Sequence, residues 1–103
     1  MVIRETRVFT KQVLAAMDDA EYRLLQQFLL QRPDAGPVLE KSGGLRKLRW
    51  ARRGMGKRGG WRIIYYWDAG QDVLYLLLMY GKGSQEDLTI DQVKALRKLV
   101  EAE

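Results

Sequence analysis

Eight consecutive apolar residues, Val73 to Tyr80, constrain this chain more than any other feature. The turn Asp68-Ala69-Gly70-Gln71 precedes the run and the loop Gly81-Lys82-Gly83-Ser84 follows it, so the run is bounded at both ends. It falls far short of the ~20 residues a helix needs to cross a bilayer. A short stretch apolar on both faces reads instead as a central strand buried on two sides. With 103 residues in all, the chain closes one hydrophobic core, and residues 1–103 are expected to form a single domain.

The rest of the chain supplies the neighbours of that strand. Trp61 to Trp67 is rich in aromatic and β-branched residues and reads as a second strand. Ser42-Gly43-Gly44 is a turn, after which Leu45 to Ala51 alternates as a third, with Arg46, Leu48 and Trp50 on one side and Lys47 and Arg49 on the other. Val2 to Phe9 also alternates and predicts a short first strand. Thr10 offers an N-cap for a helical stretch through Met17. Asp18-Asp19 restarts the helix, with Tyr22, Leu25, Phe28 and Leu29 as its apolar stripe and Leu24 widening it, and Arg32-Pro33 ends it. Thr89-x-x-Gln92 has the form of a capping box and opens a last helix with Val93, Leu96 and Val100 on one face. This order predicts a small α+β domain, an antiparallel sheet packed against N-terminal helices and a C-terminal helix.

The chain has neither cysteine nor histidine, which excludes thiolate nucleophiles, disulfides, Cys/His zinc sites and imidazole acid–base chemistry. No metal or other cofactor is expected. No apolar signal segment opens the chain, and a cytoplasmic protein with no membrane partner is expected. The net charge is +5, yet Lys41 to Arg62 holds nine basic residues and no acidic one, which leaves the remainder at −4. A concentrated basic stretch of this kind binds phosphates through Coulomb attraction and counterion release. The segment Arg52 to Gly60 reads as a glycine-rich basic loop. Its Gly-x-Gly-x-x-Gly spacing at Gly54, Gly56 and Gly59 leads into a strand and lacks the βαβ context of a dinucleotide site. Trp50, Trp61 or Tyr80 would add base stacking where exposed.

Cleavage of RNA is within reach of such residues, because the ribose 2′-hydroxyl is already the nucleophile. Neighbouring positive charge disfavours an ammonium ion, so Lys47, flanked by Arg46 and Arg49, is the candidate base. Arg49 and Arg62 are the candidate stabilisers of charge on the phosphorus. A register slip of one residue would bring Arg46 and Leu48 to that face instead.

Gly43-Gly44-Leu45-Arg46-Lys47-Leu48-Arg49, the Gly-Lys-Arg-Gly-Gly stretch at Gly56 to Gly60, Trp61-Arg62-Ile63-Ile64-Tyr65-Tyr66 and Leu77-Leu78-Met79-Tyr80-Gly81-Lys82 together resemble the RelE/HigB-type toxins of bacterial toxin–antitoxin systems. The likeness is greatest to the HigB-like branch. It implies a RelE-like fold and an endoribonuclease that cleaves mRNA in the ribosomal A site and halts translation. It also implies a cognate antitoxin. By the same resemblance Lys47 and Arg49 match the paired basic positions of the family's second strand, Arg62 the arginine opening its third, and Lys82 the basic residue after its last. The family's arginine after Gly-Lys and its later tyrosine are replaced here by Gly83 and Thr89, which leaves Lys82 or Tyr80 for the general-acid role. Arg46, Arg52, Arg53, Lys57 and Arg58 are then expected to hold ribosomal RNA. A ParE-like gyrase poison and a non-catalytic RNA-binding module are the alternatives.

Overall fold

A computed structural model describes residues 1–52, 56–81, 83 and 88–102. Its elements are β1 (Val2–Glu5), α1 (Arg7–Ala16), α2 (Asp19–Gln31), β2 (Arg46–Arg52), β3 (Gly56–Asp68), β4 (Val73–Gly81) and α3 (Ile90–Ala102). The four strands form one sheet in the order β1-β4-β3-β2. The apolar run is therefore an inner strand, and from Val73 to Tyr80 every residue but Leu78 is buried. Among the described residues, no helix is long and apolar enough to cross a membrane.

The sheet is mixed, not wholly antiparallel as the element order predicts. β2 pairs antiparallel with β3 and β3 antiparallel with β4, but β1 runs parallel to β4 with Val2 opposite Val73 and Glu5 opposite Leu76. The reason lies in the connection. β1 and β2 point the same way at opposite edges, so the chain has to cross the sheet between them, and α1 and α2 make that crossing. Local pattern reveals the two helices but not the edge to which the chain returns.

The crossover also builds the larger core. Phe9, Val13 and Met17 of the α1 stretch and Leu25 and Leu29 of α2 pack on Leu48, Ile63, Tyr65, Leu74, Leu76 and Met79. On the other face α3 lays Leu96 and Val100 over Leu45, Ile64, Val73, Tyr75 and Leu77. A register shift of β3 on β4 falls between Ile64 and Tyr65, where Ile64 pairs with Leu78 and Tyr65 with Leu76. One extra residue on β4 is thereby accommodated, and both Leu77 and Leu78 join the α3 side.

Helix starts follow the capping rules, with one displacement. Asp18 caps α2 through a bond from Glu21 N–H at 2.8 Å. Both halves of the α3 capping box form: Gln92 N–H donates to Thr89 Oγ1 at 3.1 Å and Thr89 N–H to Gln92 Oε1 at 2.9 Å. α1, however, is capped by Thr6 and not by Thr10. Thr6 Oγ1 accepts from Phe9 N–H at 3.0 Å and donates to Leu77 C=O at 2.8 Å, so docking on β4 selects the earlier threonine and ends β1 at Glu5. The earlier start sends Phe9 and Val13 inward and leaves Leu14 at 73% exposure. Leu24 likewise faces outward, because Leu25 and Leu29 are the residues of α2 that reach the sheet. β3 begins at Gly56, so residues 56–60 continue the strand that was expected to open at Trp61. Ladder pairing with β2, which reaches Arg52 opposite Gly56, extends the strand despite its glycines.

Candidate nucleic-acid interface

Strand register decides which basic side chains share a surface. Arg49 lies opposite Arg62, and Arg62 opposite Tyr80, so the three form one transverse row across β2, β3 and β4. Lys47, opposite Ile64, heads the adjacent row on the same face. Side chains directly opposite in an antiparallel pair stand about 5 Å apart at Cβ, and alternate residues along a strand about 7 Å. Lys47, Arg49 and Arg62 therefore form a single cationic cluster. Arg49 is exposed, Lys47 half-buried, and Arg62 only 8% exposed. The Arg62 guanidinium is steadied in part by Nη1 donating to Gly60 C=O at 3.4 Å. Positions 47 and 49 are thus the ones brought to Arg62, and the slipped register is not adopted.

Arg46 stands on the opposite face. Its Nη1 donates to Asp34 C=O at 3.1 Å and Gly36 C=O at 2.8 Å, so it fastens the turn after α2 rather than adding to the cluster. Trp50 faces the helices too, its ring 5.4 Å from that of Phe28, and Trp61 packs against the same core. Tyr80 is 8% exposed and buried among the residues under α3, which makes it a wall of the site next to Arg62 and not an open stacking platform. Arg53 and Lys82 lie outside the described residues, as do the side chains of Arg52, Lys57 and Arg58.

The turn after α2 fixes the site from behind. Tyr65, fully buried on β3, donates its hydroxyl to Pro33 C=O at 2.8 Å and accepts from Gly36 N–H at 2.9 Å. Burial pushes the Tyr65 phenol above its ordinary value. Gly36 has to be glycine, because a Cβ there would stand 2.9 Å from Tyr65 Cε1 and 3.0 Å from the Lys47 carbonyl. Held so, the turn pairs with β2: Lys47 N–H donates to Pro37 C=O at 3.1 Å, and Leu39 N–H to Leu45 C=O at 2.8 Å.

Sequence pattern alone misses one basic residue of this face. Arg97 of α3 stacks over the Tyr66 ring at 4.8 Å. Tyr66 belongs to the cluster under α3, on the same side of the sheet as Lys47. The stack is admitted by Gly43 and Gly44, both at positive φ, since a Cβ on Gly43 would come within 2.7 Å of Arg97 Nε. The signal was available in the paired glycines, which mark a close approach, but not the identity of what approaches. Among the described residues, no group of three or more His, Cys, Asp or Glu is arranged to hold a metal ion.

Chemically, three cations on one pleated surface can bind a phosphate and stabilise added negative charge on it. No protein-family model matches the chain.

Proposed function

We propose that the chain is a RelE/HigB-type endoribonuclease toxin that cleaves mRNA in the A site of the ribosome, acting in the cytoplasm and restrained by a cognate antitoxin. What carries this reading is the common face of Lys47, Arg49 and Arg62, three cations from two adjacent strands. In the reaction Lys47 takes the proton of the 2′-hydroxyl while its oxygen attacks the adjacent phosphorus. The P–O5′ bond breaks, leaving a 2′,3′-cyclic phosphate and a 5′-hydroxyl. Arg49 and Arg62 neutralise the charge that develops on the non-bridging oxygens. Lys82 or Tyr80 is assigned the proton that returns to the 5′-oxygen. The chemistry acts on RNA, because DNA lacks the nucleophile.

Primer extension on a reporter mRNA in a reconstituted translation reaction, with and without ribosomes, tests this. Wild type is expected to produce cuts on translating ribosomes, and Arg62→Ala or Arg49→Ala to reduce them by about 10²-fold, the usual loss for a charge-stabilising donor. Arg49, being exposed, separates chemistry from folding. If translation stops without cuts, the chain is a non-catalytic binder of ribosomal RNA. If translation is untouched, a gyrase assay examines the ParE-like alternative.

A further inference from the structure

The proposed cleavage uses Lys47, Arg49 and Arg62 and gives Arg97 of α3 nothing to do. Its guanidinium lies on the Tyr66 ring, 4.8 Å from the centroid, with 29% of the side chain exposed. Leu96 and Val100, both buried, anchor α3 to the sheet, and Gly43 approaches so closely that a Cβ there would stand 2.7 Å from Arg97 Nε. The fork is therefore held in place before any ligand arrives. Glu101 Oε1 stands 4.0 Å from Nε, beyond hydrogen-bond length, and among the described residues none accepts a hydrogen bond from Arg97. A planar set of donors is thus fixed on a ring with its bonds still to make.

Register places this fork beside the cationic cluster. The β2–β3 ladder is regular from Arg46 to Trp50, with Lys47 opposite Ile64. Tyr66, two residues along β3 from Ile64, is the diagonal neighbour of Lys47 at about 7–8 Å. Arg49 and Arg62 form the row on the other side of Lys47, about 7 Å away. Positive charge therefore stands at three successive levels of one face: Arg49 with Arg62, then Lys47, then Arg97 above Tyr66. A single RNA strand carries a phosphate on every nucleotide, and an extended one sets successive phosphates on such levels.

We propose that Arg97, seated on Tyr66, binds a second phosphate of an RNA strand whose first phosphate lies at Arg49 and Arg62, with Lys47 between the two. That the first phosphate is the one cleaved rests on the nuclease reading, whereas the second site does not. An acidic peptide suits this end of the face less well. The β2 edge nearest Tyr66 is already paired, Lys47 N–H with Pro37 C=O and Leu39 N–H with Leu45 C=O, so a peptide finds no main-chain partners there. RNA needs none, because its charge is carried by its own backbone.

The test is NMR titration of the full chain with 2′-O-methyl oligouridylates of two and of five nucleotides, unphosphorylated at their ends, which carry one and four phosphates and lack the attacking hydroxyl. The longer strand is expected to bind more tightly and to shift the Arg97 Nε–H and Tyr66 ring signals. Arg97→Gln is expected to weaken the longer strand about 10-fold and to lower its log–log salt slope by about one unit, with the dinucleotide little affected. Arg97→Lys is expected to restore the slope but not the full affinity, since an ammonium keeps the charge and loses the flat fork. Tyr66→Phe, which keeps the ring, is expected to bind as wild type does. Stationary Arg97 and Tyr66 signals in the wild type at saturation overturn the proposal, as does a dinucleotide weakened by Arg97→Gln as much as the longer strand, or penta-glutamate bound with the same dependence on Arg97. Binding as described by a wild-type chain that makes no cuts on translating ribosomes supports the second site and counts against the nuclease reading alone.

Discussion

Removing one oxygen atom, by Tyr65→Phe, should destabilise the protein out of proportion to its size. The hydroxyl satisfies two backbone groups of the turn after α2, Pro33 C=O and Gly36 N–H. Gly36 is buried, and its bond to Tyr65 is buried with it. A donor stranded there costs about 1–3 kcal/mol, and the bond to the half-buried Pro33 carbonyl adds about 0.5–1.5 kcal/mol before water replaces it. The sum is about 1.5–4.5 kcal/mol, which in a domain of this length, at about 4–8 °C per kcal/mol, lowers Tm by about 6–36 °C. Urea denaturation followed by far-UV circular dichroism checks it, with the slope of free energy on urea unchanged. The same residue sets a pH dependence. Its phenol is raised by burial above the ordinary 10.0, so above about pH 10 the unfolded chain loses a proton that the folded one retains, and stability falls as pH rises. Below that range the contribution is complete. Tyr22, raised by burial and by the hydrogen bond to Glu5, acts in the same direction. Tyr65→Phe should therefore flatten the alkaline decline without abolishing it. A loss below about 0.5 kcal/mol, the usual range for an inconsequential surface change, or an unaltered alkaline slope, would refute the argument.

Other substitutions examine separate parts. Gly43→Ala places a side chain at φ +71° and against Arg97 Nε, and should cost about 1–2 kcal/mol, whereas Gly70→Ala, whose nearest contact is 3.5 Å, should be close to neutral in the same urea assay. Thr6→Ala removes both a cap and the bond to Leu77 C=O and should cost about 2 kcal/mol, against about 1 kcal/mol for Thr89→Ala, as measured by paired thermal melts. Arg49→Met should reduce the salt dependence of binding to a short RNA by about one unit in the log–log slope, with the fold intact by circular dichroism.

Much of the site was legible before the fold was. Alternation in Leu45 to Ala51 already separated Lys47 and Arg49 from Arg46, and the apolar run of β4 fixed the middle of the sheet. What pattern did not supply came from distant partners. Thr6 and Thr10 are equivalent caps locally, and only the Leu77 carbonyl distinguishes them. Leu24 continues a helical stripe as well as Leu25 does, but the docking of α2 on the sheet buries Leu25 and leaves Leu24 exposed. Arg46 looked like one more phosphate ligand in a basic run, whereas the carbonyls of Asp34 and Gly36 claim it. Arg97 reached the cationic face through the packing of α3, about which local spacing says nothing.

The parallel pairing of β1 with β4 also bears on the order of events during synthesis. β2, β3 and β4 join through short connections and close small loops, while Thr6 meets Leu77 across 71 positions of chain. Contacts between neighbours in sequence form before such remote ones, since a long loop must be closed before its contacts repay the entropy. Phe9 and Val13 thus leave the ribosome well ahead of the strand they pack on, and α1 waits for residues 73–79 before its apolar side is covered. The nascent chain acquires both its core and its cationic surface only when most of it has been made.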